Sequence, residues 1–170
     1  MPATTPQQIL TSIQNTSIVL PPLPSLLSSF PLEVNPALPR LRQEVDIWIS
    51  KSVTSARKIK TLKAADFGYF GATWWPRATY ERLRILTFLA VWVFTWDDEL
   101  DEVDGELWDN ELAADVYRED TVWYIRACLG LQDERDVEPT SKIIRNFEMI
   151  GKEVRKVYYH GWSRHVHNRH

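Results

Sequence analysis

The distribution of apolar and polar positions changes character near residue 38. Before it, "PPLPSLLSSFPLEVNP" shows no helical period and holds too many prolines for a helix, so residues 1–37 are predicted to form an extended Pro-rich arm. From Pro39 the pattern turns helical. In "RLRQEVDIWISKSV", Leu41, Val45, Trp48 and Ile49 share one face. "TLKAADFGYFGATWWP" begins as a helix and ends around Gly71 to Pro76. A long helix with nothing to break it is predicted from about Ala78 to Glu102, then a turn at Val103-Asp104-Gly105. A second acidic helix follows from about Glu106 to Leu131, with Leu107, Leu112, Val116, Val122 and Ile125 among its apolar positions. After the polar loop "QDERDVEP", Thr140 or Ser141 can cap a last helix that runs to about Tyr159. No segment alternates as a strand does, and there is no repeat and no Gly-rich phosphate loop. The chain is predicted to be all-α over residues 38–160, with a basic, His-rich tail at 161–170.

Composition adds limits. With 170 residues, 44% of them hydrophobic and 25% charged, the chain has the make-up of one ordinary globular domain. A net charge of −3 gives no general attraction to nucleic acid. The longest apolar run, Ile85 to Trp96, is too short to span a bilayer. The N-terminus lacks the pattern of a secretory signal, and the single Cys128 rules out an intramolecular disulfide, so a reducing, cytoplasmic setting is expected. Asn15-Thr16-Ser17 is then a chance sequon.

Charge changes the picture more. Residues 97 to 120 hold twelve acids and one base, Arg118, whereas residues 55 to 63 hold Arg57, Lys58, Lys60 and Lys63 and no acid. At about 100° per residue, Asp97 and Asp101 share a helix face and Asp98 lies between about 60° and 100° from them. Phe94, Ala90, Thr87 and Leu83 fall in the same arc further down; Trp92, Trp96 and Glu99 point the other way. The tryptophan side is expected to pack against other helices. The Leu83–Phe94 side is expected to floor a cavity with acids at its rim, and Glu99 to be surface. Three close carboxylates repel one another unless a cation intervenes. Mg²⁺ takes oxygen ligands and is commonly shared between one or two carboxylates and a substrate's phosphates. A solvated acidic helix end is the bland alternative, although acids there oppose the helix dipole.

"ERLRILTFLAVWVFTWDDELDE" resembles the metal-binding helix of class I terpene synthases, fungal sesquiterpene cyclases in particular. Its DDxxD-type motif stands as Asp97-Asp98-Glu99-Leu100-Asp101, followed by Glu102. The upstream "ADFGYFGATWWPRATYERLR" looks like the segment that leads into that helix, and the likeness extends over roughly residues 38 to 160. The resemblance implies a partial class I terpenoid synthase helical bundle around an apolar pocket. It implies Mg²⁺, with Mn²⁺ as a substitute, held by Asp97, Asp98 and Asp101. The substrate would be a prenyl diphosphate such as farnesyl diphosphate, with Phe94 and Ala90 against its chain.

The chain also departs from the family. The second metal motif, of Asn-Asp-x-x-Ser-x-x-x-Glu type, is not found: four residues after Asn146 stands Ile150, and eight after it Val154. The late Arg-Tyr pair is missing too. The chain therefore looks like the N-terminal half of the catalytic domain, from a truncated gene model or a splice variant, with weak or no activity alone. A chain-elongating prenyl synthase fragment, or a non-catalytic helical fragment that self-associates through uncovered apolar faces, remain open readings. Arg77, Arg82 and Arg84 are expected to form external ion pairs, and Cys128 to be a small core residue. His165 and His167, two apart, do not share a helix face.

Overall fold

Helix formation follows the apolar period closely in the middle of the chain. The computed structural model describes residues 5–17, 19–29, 32–102, 105, 107–133 and 139–166, with side chains up to residue 157. Contacts divide it into two units, Met1–Leu32 and Glu33–His170.

The first unit corrects the extended arm. It holds helices α1 (Pro6–Ile13) and α2 (Leu23–Leu26), neither with a buried residue. The proline count misled because position matters more than number. Pro6 sits in the first turn of α1, where its missing N–H costs nothing. Thr5 and Gln8 complete a capping box ahead of it.

The second unit contains α3 (Leu38–Ser52), α4 (Ala56–Ala64), α5 (Phe67–Trp74), α6 (Tyr80–Asp101), α7 (Glu111–Cys128), α8 (Lys142–Arg145) and α9 (Phe147–Val166). No strand occurs among the described residues, so the all-α expectation is met. No helix among them is long and apolar enough to cross a membrane. Leu41, Val45 and Ile49 of α3 are buried as their spacing predicts, against Phe67 and Ala72 of α5 and Leu83, Phe88 and Val91 of α6. Trp48 stacks on Phe88 with ring centroids 5.1 Å apart.

Entry to this core depends on Asn35, which the sequence placed in the arm. It is 4% exposed, and its amide donates to the carbonyls of Ala78 and Trp75 at 2.9 and 3.3 Å. Its own N–H donates to the Ala72 carbonyl. One side chain thus ties the start of α3 to the α5–α6 connection.

Three boundaries differ from expectation. The predicted helix through "TLKAADFGYF" breaks at Asp66, whose φ of 48° is left-handed and whose carboxylate caps α5 through the Tyr69 N–H while pairing with Arg42. Helix α7 starts at Glu111, capped by Asn110, not at Glu106. The last helix is split: Ser141 caps α8, accepting from the N–H groups of Ile143 and Ile144, and α9 then continues to Val166. Val103, Asp104 and Glu106 of the predicted turn and helix start lie outside the described residues.

Helix α5 packs tightly on α6 because residue 71 has no side chain. A Cβ on Gly71 would overlap Thr87 Oγ1, a fully buried hydroxyl bonded to the Leu83 carbonyl. Gly71→Ala is expected to destabilise the chain by about 1–3 kcal/mol, read as a lower denaturant midpoint. Combining it with Thr87→Ala should recover most of that loss.

Candidate active site

The acidic end of α6 leaves the core while the helix is still regular. Asp97, Asp98, Asp101 and Glu102 are exposed, and Glu99 and Leu100 are half-buried. Five carboxylates thus crowd six positions, and the last turn of α6 contains no basic residue to offset them. The helix dipole adds partial negative charge at the same place.

The compensating charge comes from another helix. Lys58 of α4 reaches across so that its Nζ lies 3.0 Å from Glu99 Oε1 and 2.6 Å from Glu102 Oε2. Partial burial works against the Lys58 charge, yet bonds to Glu102 and Glu99 hold its pKa above the usual lysine range. Glu99, expected to be surface, is half-buried and a partner in a shared ion pair. Sequence reasoning missed Lys58; the one signal available was a basic segment without acids preceding an acidic segment almost without bases.

Asp98 titrates high for a carboxylate. Desolvation is the main cause, and repulsion from Asp97, Glu102 and Asp101 adds to it, while Lys58 pulls the other way. Asp97, Asp98 and Asp101 share the outer arc of the turn, as their spacing predicts.

Below them the expected cavity floor divides into two halves. Leu83 and Thr87 are fully buried, Thr87 against Gly71 of α5, so they floor no open space. This corrects that part of the reading: Thr87 is closed off by the close approach at Gly71, and Leu83 belongs to the hydrophobic core. Ala90 is half-buried, and Phe94 is 48% exposed. Phe94 joins an aromatic cluster from α5, with centroids 5.5 Å from Phe67 and 6.3 Å from Phe70; Trp74, itself exposed, stacks on Phe70. An aromatic surface thus lies on the acid-bearing side of α6, one turn below the carboxylates.

The tryptophan side packs as expected. The Trp92 indole N–H donates to the Ile143 carbonyl at 2.8 Å and its ring sits 4.9 Å from that of Phe147; Trp96 donates to Thr121 Oγ1. Near that side lies a cavity of about 570 Å³ whose lining includes Lys58, Glu99, Glu102, Tyr117, Ser141 and Ile144. Burial pushes the Tyr117 hydroxyl up to about 12.

Other candidates find structural roles. Arg77 forms the expected external pair, with Glu33. Arg84 is more enclosed than expected, 3.8 Å from both Glu44 and Glu81. Asn146, the nearest start to a second metal motif, donates to the Ser52 carbonyl. Cys128 is half-buried and would meet any Cβ added to Gly151 of α9. His167 and the side chain of His165 lie outside the described residues.

Among the described residues, no three His, Cys, Asp or Glu side chains are grouped to hold a metal ion. Mutual repulsion gives the carboxylates no reason to converge by themselves. Their donor chemistry nevertheless fits a hard divalent cation in an open setting, where one or two carboxylates share the ion with water and phosphate oxygens.

No family model matches the chain. Individual relatives do. It is 32% identical over 148 residues to a sesquiterpene cyclase, hepA, of Aspergillus oryzae, covering 83% of this chain and 40% of that protein. It is 29% identical over 127 residues to the terpene cyclase braA of Annulohypoxylon truncatum, covering 74% and 34%. A bacterial relative, the 4-epi-cubebol synthase of Streptosporangium roseum, which cyclises (2E,6E)-farnesyl diphosphate, is 33% identical over 87 residues, covering 50% and 26%. The chain spans two fifths or less of the length of these relatives. The likeness reaches across most of the helical unit that carries the acidic turn, and the chain belongs to the terpene synthase family.

Proposed function

We propose that the end of α6 is the carboxylate side of a class I terpene synthase site. Asp97 and Asp101 are the principal ligands for a divalent cation, Mg²⁺ with Mn²⁺ as a substitute, and Asp98 is the third. The substrate is a prenyl diphosphate, with the fifteen-carbon farnesyl diphosphate the best candidate because a relative's name states it. The observation that carries the reading is one helix side bearing both exposed carboxylates and, a turn below, a half-exposed aromatic surface. A molecule with an anionic head and an apolar tail matches that order.

A divalent cation supplies neutralisation of the diphosphate as its C–O bond breaks. The chain's own residues do the rest. Asp97 and Asp101 would hold that ion, with Asp98 beside them, at the end of the site meant for the anionic head. Phe94, backed by Phe67 and Phe70, offers a ring face that steadies an allylic cation without attacking it. Ala90, being small, leaves room for the isoprenoid chain beside that ring.

Calorimetry tests the reading. Mg²⁺ and inorganic diphosphate are expected to bind together, with neither giving a comparable signal alone. Diphosphate binding that ignores Mg²⁺, or no binding of the pair, overturns it.

A further inference from the structure

We propose that Lys58 is a positioning residue for the acidic turn: by occupying Glu99 and Glu102, it leaves Asp97, Asp98 and Asp101 as the carboxylates open to a cation. The inference deepens the proposed function and rests on it.

Three observations support the assignment. First, the last turn of α6 has no base of its own, so its compensating charge must come from elsewhere in the fold. Second, Lys58 is delivered from a fixed point. Helix α4 is anchored in the core by the buried Leu62 and the partly buried Ile59, which adjoins Lys58 in sequence. Third, the two acids that Lys58 holds straddle the helix end. Glu99 is inside α6, whereas Glu102 is its C-cap, where ψ turns to 109°. The Glu102 carbonyl accepts from the Gly105 N–H at 2.7 Å. One ammonium therefore joins the helix body to the point where the chain leaves it.

Without that clamp, Glu99 and Glu102 add two unpaired charges to the three aspartates. The end of the helix loses the contact that fixes its last turn against α4, and the aspartates lose a fixed base.

Charge alone and positioning predict opposite signs. A lysine near a cation site repels the cation, so its removal should tighten metal binding if charge were all that mattered. If Lys58 positions the turn, its removal weakens binding.

The test uses the full chain and Mn²⁺ in the presence of inorganic diphosphate, followed by electron paramagnetic resonance. Lys58→Met is expected to weaken Mn²⁺ binding about tenfold, the low end for residues that support metal ligands. Lys58→Arg, which keeps the charge and can bridge both acids, should restore it to within about twofold. Amide hydrogen exchange at residues 99–102 should accelerate in Lys58→Met and return to normal in Lys58→Arg, with α3 amides unchanged as a check on folding. Unchanged or tighter Mn²⁺ binding in Lys58→Met overturns the inference, as does exchange at 99–102 that does not respond. An Asp97→Asn, Asp101→Asn variant measured alongside separates the two claims. If it binds Mn²⁺ as well as the parent, the proposed site itself is wrong, whatever Lys58 does.

Discussion

The double variant Asp97→Asn, Asp101→Asn is expected to lose Mg²⁺-dependent diphosphate binding while becoming slightly more stable. The two effects have opposite signs because the same charges serve one purpose and oppose another. As ligands, the carboxylates give a hard cation anionic oxygens, and an amide offers only a neutral one. Changes to residues behind a metal ligand already cost 10–100-fold in affinity, so loss of two direct ligands should cost more than about a hundredfold. As parts of the fold, the same carboxylates sit at the negative end of the α6 dipole among three other acids. Removing both should raise Tm by about 2 °C. Calorimetry with diphosphate reads the first effect and thermal unfolding the second. Lost binding together with a clear fall in Tm would point to damage of the fold, and unchanged binding would remove these aspartates from the site.

The second large effect is expected at Trp92, behind the acidic turn. This residue is 5% exposed, and its indole joins α6 to the start of α8 through the Ile143 carbonyl and to α9 through Phe147. Trp92→Ala removes a large buried ring and should cost about 3–5 kcal/mol. That is a substantial part of the roughly 5–15 kcal/mol by which domains of this kind are stable. Trp92→Phe keeps most of the ring and loses the N–H, leaving a carbonyl without its donor, so about 1–2 kcal/mol is expected. Urea unfolding of both variants separates packing from the hydrogen bond. Equal losses would mean that the N–H carries the effect, and losses near zero would mean that α8 and α9 do not depend on this contact.

Much of the fold was legible because it depends on local rules. The apolar period located the buried face of α3 residue by residue, at Leu41, Val45 and Ile49. The absence of any breaker set the length of α6, and a cap at Thr140 or Ser141 was legible because a short side-chain oxygen before a helical run satisfies free N–H groups; the structure uses Ser141. Position-blind rules did less well. Counting prolines hid α1, whose proline is harmless in its first turn. On α7 the apolar Leu112, Val116 and Val122 are exposed, and burial falls instead on Ala114, Thr121, Tyr124 and Ala127. Which stripe of a helix is buried depends on its neighbours, and one helix's sequence does not specify them.

The candidate site divides in the same way. By itself the sequence determined that three aspartates share an arc at the end of an aromatic helix, because helical pitch alone fixes that relation. Tertiary structure alone decided which acids are engaged, since Lys58 meets Glu99 and Glu102 from 41 and 44 residues away. It also decided how far the apolar face stays open. A missing side chain at Gly71 lets α5 cover Thr87, while Phe94 remains half-exposed beside the carboxylates. Such facts arise from the approach of separate helices, which local spacing does not encode.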